Sequence, residues 1–305
     1  MLFRSIRRAG VRVGFIGVTT PSTPKFLVDR YARRFHFTDI SDAVNRWVGV
    51  LRGQGVRAIV VLAHAGGPTQ DESSAPDFVG EIVEEAREMS PEVDVVIAGH
   101  SHSRLDIRVP NPGGAGDKLI VEALSYGIAF DLVDLTVDRR TGDVVAKSGD
   151  VPETPHDIAG DPRVSALVER YRRRVAPLAM KVLGDTGTAL TRAGGDLGRL
   201  AAEAERAYAG ADAAVVDTGA LRADIDAGPI TYADVAEALA YGHQVMRARL
   251  TGRGLRALVE RGGYFSGPAD IDPARTYTVA ASEMTMDRGR ALDSEADALA
   301  WYLER

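Results

Sequence analysis

The amino-acid sequence predicts an α/β protein made of two domains. Near-continuous apolar runs alternate with amphipathic helical patterns through the first third of the chain, as in parallel strands covered by crossover helices. A set of alternating strands then follows, as in an antiparallel addition to such a sheet. The 305 residues correspond to about two domains of roughly 150 residues each.

The first predicted strand is Val11 to Val18. The preceding residues are basic, which superficially suggests a leader. The apolar piece is short and broken by glycines, and no small-residue cleavage site follows it, so it is assigned as a buried strand. Residues 39–52 form a helical pattern, with Ile40, Val44, Trp47, Val48 and Leu51 on one face. Val56 to Leu62 is a second strand, apolar nearly throughout. A helix is predicted over residues 77–89, burying Phe78, Ile82, Val83, Ala86 and Met89 and ending at Ser90-Pro91. Val93 to Ala98 is a third buried strand. Leu119 to Glu122, Phe130 to Val137 and Val144-Val145 are strands, with a turn at Arg140-Thr141-Gly142.

Residues 149–161 are rich in Pro, Asp and Gly and suit a connector. Asp161-Pro162 then starts a helix. Its expected buried stripe is Val164, Leu167, Val168, Tyr171 and Val175, and Arg172, Arg173 and Arg174 near its end suit the helix dipole. Beyond Val182, a helix opens at Gly195-Asp196 and presents Leu197, Leu200, Ala204 and Tyr208 on one side. Ala213 to Val216 is a strand that leads into Asp217-Thr218-Gly219-Ala220-Leu221-Arg222. Thr231 caps a helix, with Asp234 as its capping-box partner. Thr251 caps another, carrying Leu255, Leu258 and Val259. Tyr277 to Ala280 is a strand and Glu295 to Leu303 a final helix.

Composition narrows the function. Lys+Arg is 37 against Asp+Glu 43, a net charge of −6, which lacks the basic excess of most nucleic-acid binders. No polymeric nucleic acid is expected as a partner. Cysteine is absent, which excludes disulfides, thiolate zinc sites and cysteine nucleophiles. No stretch approaches the roughly 20 apolar residues of a membrane span.

Of the six histidines, three stand at strand ends. His64 closes the run Val60-Val61-Leu62-Ala63, and His100 and His102 follow Val95-Val96-Ile97-Ala98-Gly99. Open α/β sheets place ligands at the C-terminal ends of their strands. Gly99 is expected to turn the backbone there. Imidazole is the commonest metal ligand, so the three could converge on an ion. Each alone is more simply a hydrogen-bonded loop histidine. His36 and His156 carry no functional reading.

The order of LAHAGG and then VDVVIAGHSH, after VRVGFIGVTTPST, resembles the metallophosphatase domain of the 5′-nucleotidase / 2′,3′-cyclic nucleotide phosphodiesterase family. The later segment AVVDTGALRADIDAGPITYADVAEALAYGHQVMRARLTGRGLRALVE resembles that family's C-terminal nucleotide-binding domain. The resemblance implies a partial calcineurin-like metallophosphoesterase β-sandwich with flanking helices, then a smaller α+β domain. The corresponding boundaries are 1–154, a linker with a helix over 155–181, and 182–305. By the same resemblance, His64 and His100 are ligands of one metal of a two-metal centre, and His102 of the other. Arg222 matches a substrate-holding arginine, and Asp217 and Gly219 belong to its loop. Phe265, or Tyr264 beside it, lies near the position of a base-stacking aromatic, for which core packing is the plain alternative. The implied reaction is metal-assisted hydrolysis of nucleoside monophosphates or related phosphoesters, with zinc, manganese or cobalt. Two ions about 3.5–4 Å apart would polarise the phosphate and activate water. Family members are usually extracellular or periplasmic.

The sequence departs from the family pattern in ways that affect this expectation. The family's Asp-x-His, bridging Gly-Asp and Gly-Asn-His-Glu segments lie upstream of the strand that here begins at Val11, and the ten residues before it contain no Asp, Asn, Glu or His. The expectation is therefore a first domain lacking its N-terminal catalytic segment, with no catalytic residue assigned and at most one ion held. Turnover by these residues alone is expected to be weak. The alternatives are a non-catalytic nucleotide- or phosphate-binding remnant, or a piece needing a separate N-terminal segment. In the second domain, Asp217 replaces the usual Asn. Tyr241-Gly242-His243 stands where the family has Phe-Gly-Asn, so a binding role for His243 is doubtful.

Overall fold

The computed structural model describes residues 2–27, 29–67, 80–112, 116–286 and 289–305. The chain divides into two compact units, Met1–Ile158 and Ala159–Arg305.

The first unit opens with β1 (Leu2–Arg8) and β2 (Val11–Thr19), which pair antiparallel. A single 3₁₀ turn (Thr23–Phe26) and the short α1 (Asp29–Ala32) lead to α2 (Ile40–Gly53) and β3 (Ala58–His64). Next come α3 (Glu81–Glu88), β4 (Val95–Ile97), β5 (Arg104–Pro110) and β6 (Asp117–Ala123). A hairpin of β7 (Leu132–Val137) and β8 (Val144–Asp150) ends the unit. The predicted helix over 77–89 is therefore seen as Glu81–Glu88, and Phe78 lies outside the described residues.

The main sheet has the order β1-β2-β3-β4-β6-β5. Its interior pairs β2–β3, β3–β4 and β4–β6 are parallel, and β1 and β5 are antiparallel edges. The continuous apolar runs have a direct cause. On one face, Ile16, Ile59, Val61, Val96 and Ile120 pack with Val44, Val48 and Leu51 of α2 and Ile82, Val83 and Ala86 of α3. On the other, Val60, Val95, Leu119 and Val121 meet Val133 and Leu135 of the hairpin. Each fully buried aliphatic side chain contributes roughly 1.5–3 kcal/mol. Cover on the hairpin side is incomplete, because Leu62 of β3 is 43% exposed.

The second unit contains α4 (Pro162–Ala179), β9 (Val182–Thr186), α5 (Asp196–Tyr208), β10 (Ala213–Val216), β11 (Gly228–Thr231) and α6 (Tyr232–Ala238). It continues with β12 (Gln244–Thr251), α7 (Gly252–Glu260), β13 (Tyr264–Ser266), β14 (Thr276–Ser282), β15 (Arg290–Ser294) and α8 (Glu295–Leu303). Its sheet has the order β13-β10-β14-β12-β15, and β9 and β11 form a separate pair. Val215, Tyr277, Val279 and Ala281 bury one face against Leu255 and Leu258 of α7. Ala214, Val245 and Ala280 pack on the opposite side with Ala298 of α8.

The predicted caps form. Asp161 accepts from Arg163 N and Val164 N. Thr231 and Asp234 make a reciprocal capping box, and Thr251 accepts from Gly254 N. Two expectations for α4 are corrected. Val164, Leu167, Val168, Tyr171 and Val175 lie on one helical face, but all are exposed and the helix has no buried residue. Helical periodicity defines a face without supplying a surface to cover it. The helix also continues to Ala179, so Arg172–Arg174 lie inside it and not near its end, and Arg172 and Arg173 pair with Glu169 one turn earlier.

Candidate functional site

The parallel register brings three strand ends to one edge of the first unit. Thr19 of β2 pairs with His64 of β3, and Leu62 of β3 pairs with Ile97 of β4, so the loop carrying His100 and His102 starts beside His64. Thr20 N donates to His64 O at 2.9 Å. Thr20 itself is buried, and its hydroxyl donates to Glu81 of α3 at 2.6 Å. That contact ties the end of β2 to the helix that follows the β3 loop.

The imidazoles of His64 and His100 face each other edge to face, with centroids 4.8 Å apart. His102 turns instead to Tyr126, at 5.9 Å. All three histidines are exposed to solvent. The sharp turn after β4 differs from the expected one. Gly99 is not the left-handed residue; His100 (φ 89°) and His102 (φ 60°) are. Non-glycine residues held there cost of order 1–3 kcal/mol each and cluster at functional sites.

This arrangement supplies two adjacent imidazole donors for one ion. It does not supply a complete coordination sphere. Among the described residues, no three His, Cys, Asp or Glu side chains converge to hold a metal, whereas a zinc site ordinarily uses three or four protein ligands. The residues present therefore do not fit a dinuclear centre. Two acids lie behind the histidine edge. Glu122 of β6 is fully buried. Asp131, on the approach to β7, has its carboxyl pushed up to about 6 by burial and by the nearby Glu122.

In the second unit, the loop after β10 is folded by Asp217, whose Oδ1 accepts from Gly219 N at 2.7 Å. These two residues shape the loop that presents Arg222. The Arg222 guanidinium lies 5.4 Å from the centre of the Tyr241 ring. Tyr241 in turn stacks on His243, with centroids 5.2 Å apart and planes 16° from parallel. His243 Nδ1 is 3.6 Å from Glu295 Oε2, and the Glu295 carboxylate beside it raises the histidine pKa.

Phe265 lies on β13 and packs on the core of Leu255, Leu258 and Tyr277. Tyr264 covers Gly198 of α5, where an added Cβ would come within 2.0 Å of its ring. The aromatic beside Arg222 is Tyr241, which is 54% exposed. In the sequence Tyr241 stands in the Tyr-Gly-His segment, where nothing distinguishes its ring from an ordinary surface aromatic.

Comparison with known proteins follows this two-unit layout. Residues 179–270 match the family model "5′-nucleotidase, C-terminal domain". Curated relatives extend the likeness across both units. Endonuclease YhcR of Bacillus subtilis is 30% identical over 296 residues, covering 93% of this chain and 23% of that protein. Protein UshA of Yersinia enterocolitica is 26% identical over 288 residues, covering 80% of this chain and 51% of that protein.

The second unit carries the 5′-nucleotidase C-terminal domain, and the chain as a whole resembles the 5′-nucleotidase family.

Its fold agrees with the family. A 5′-nucleotidase precursor from Thermus thermophilus superimposes with a TM-score of 0.75 at 23% identity, covering 99% of this chain and 71% of that one. The α/β architecture is that of 5′-nucleotidases, a metallophosphoesterase domain followed by the C-terminal domain. The chain spans only part of the length of these two curated relatives, 23% of YhcR and 51% of UshA.

Proposed function

We propose that this chain contributes to a metal-dependent phosphoester hydrolase of the 5′-nucleotidase type, acting on nucleoside monophosphates or related small phosphoesters. The observation that carries this reading is the His64–His100 pair, facing at 4.8 Å on neighbouring parallel strand ends. In this reading the two imidazoles are ligands of one divalent ion. Held by these two residues, such an ion would supply Lewis-acid polarisation of a phosphate. The donors still required are oxygen ligands that the described residues do not bring to this edge. In the second unit, Arg222 offers a cation for phosphate and Tyr241 an exposed ring for an organic group. One relative bears the name "Cell wall protein Lmo0130", from Listeria monocytogenes, and an extracytoplasmic location is proposed on that likeness. Among the described residues, no helix is long and apolar enough to cross a membrane.

The test is calorimetry with zinc, manganese and cobalt, followed by hydrolysis assays on AMP, bis-p-nitrophenyl phosphate and single-stranded nucleic acid. The last substrate is included because one relative is named an endonuclease. The expected result is binding of a single ion that is lost in His64→Ala and in His100→Ala, with weak turnover of the small phosphoesters. Metal binding unaffected by either substitution would overturn the ligand assignment.

A second reading, a nucleotide-binding module without turnover, is favoured by the Arg222–Tyr241 contact, which is built within the second unit alone. AMP binding without metal, abolished by Arg222→Ala, would support it. No heat from any nucleotide would remove it.

A further inference from the structure

Glu122 lies beneath both histidine loops. It sits on β6, one residue past the Val121–Ile97 pairing with β4, and is fully buried. A buried carboxyl is costly unless its oxygens accept hydrogen bonds. Oε2 of Glu122 accepts from Gly67 N at 3.0 Å and from the Ser101 hydroxyl at 3.0 Å. Oε1 accepts from the same hydroxyl at 2.9 Å and from Ser103 N at 3.3 Å.

The partners come from two different loops. Gly67 lies three residues beyond His64. Ser101 stands between His100 and His102, and Ser103 follows His102. One carboxyl therefore joins the loop after β3 to the loop after β4. Direct packing reinforces the join, since a Cβ on Gly66 would lie 2.3 Å from Ser101 Cβ, and one on Gly67 2.3 Å from Leu105 Cδ1. The left-handed backbone at His100 and His102 persists only where the surroundings over-determine it. Glu122 grips the residue between these two and the residue after them.

We propose that Glu122 is the positioning residue of the histidine edge. It clamps the two loops so that His64 and His100 face each other and His102 faces Tyr126. The purpose of this clamp rests on the metal reading above, while the clamp itself belongs to the metal-free chain.

The test uses the full chain with ring-labelled histidine and NMR, without metal. In the wild type, a nuclear Overhauser contact should join the His64 and His100 rings, whose centroids are 4.8 Å apart, and its absence would overturn the proposal. Glu122→Ala should abolish the contact and shift the His64, His100 and His102 resonances, leaving His156 and His243 in place. Glu122→Gln retains an acceptor oxygen and should recover part of the contact. Ser101→Ala removes one partner and keeps the carboxyl, so it should weaken the contact and shift His100 and His102. Its result decides the matter if the alanine variant at 122 does not fold. A lowered melting temperature with unchanged ring contacts in these variants would show a merely structural role and overturn the proposal. Zinc added to the wild type addresses the metal reading separately. If no ring resonance moves, that reading fails and the clamp stands.

Discussion

Replacing Asp94 by Asn should stabilise the first unit at neutral pH and flatten its pH dependence. Asp94 precedes β4 at the N-terminal end of the sheet, and its Oδ2 accepts from Ile59 N at 2.9 Å. Burial pushes its carboxyl up from 3.8 to about 6, against the pull of the Ile59 N–H, Lys147 and Arg52; Asp143 acts in the same direction as burial. The folded chain thus holds this proton more tightly than the unfolded chain. The stability contributed by the neutral acid is full below about pH 4 and is lost as pH rises through about 6. About two pH units at roughly 1.4 kcal/mol each amount to about 3 kcal/mol. Asn cannot ionise, yet its oxygen can still accept from Ile59 N. Asp94→Asn should therefore match the wild type near pH 4 and exceed it by up to about 3 kcal/mol at pH 8. In urea this is a midpoint shift of about 1–2 M. The assay is urea unfolding across that pH range in a Trp301→Phe background. Trp47 then reports the first unit, because its ring packs on that core. Parallel pH profiles for the two proteins, or a less stable variant at pH 8, would refute the reasoning.

Three further outcomes follow from the packing. Glu205 of α5 is buried against Glu295, and burial first, then that neighbour, raise its pKa well above the ordinary range; the stability of the neutral form is lost as pH rises, so Glu205→Gln should stabilise the second unit at pH 8 relative to pH 5, as read by Trp301 fluorescence melts. A wild type more stable than the variant at pH 8 would count against a protonated Glu205. Gly66→Ala places a Cβ 2.3 Å from Ser101 Cβ and 2.8 Å from Ser101 N; it should cost about 1–3 kcal/mol by overpacking, and an unchanged melting temperature would contradict the close approach of the two loops. Thr231→Ala removes the capping box of α6 and should cost about 1 kcal/mol, measurable as a lower urea midpoint of the second unit.

Much of the first unit could be read from sequence because its parallel strands are covered on both faces. Val60 and Val61 must then both be apolar, and the run stands out without knowledge of the partners. His64 and His100 stand out in the sequence for a related reason, since each follows such a run. The antiparallel edges were not found. β1 is held through backbone pairing from Leu2↔Gly17 to Arg8↔Val11, which places little demand on its basic side chains. Glu122 shows another limit. Its role comes from Gly67, Ser101 and Ser103, whose approach depends on how two loops fold over β6. The only sequence trace is one carboxylate inside the apolar run Leu119-Ile120-Val121. The α4 stripe failed in the opposite direction, because helical spacing marked a face that the fold leaves exposed. Likewise, Tyr241 acquires its place beside Arg222 from tertiary structure alone.

The parallel strands of the first sheet divide their labour along their length. The histidines and Glu122 occupy the C-terminal ends of these strands, while Asp94 lies at the opposite end, beside Ile59 at the start of β3. Changes at distant, independent positions combine nearly additively. Stability gained at the floor of the sheet can therefore offset losses at its rim. A lineage carrying Asn at position 94 would tolerate histidine-loop substitutions that unfold the present chain, so the far end of the sheet sets how widely the chemistry at the near end can vary.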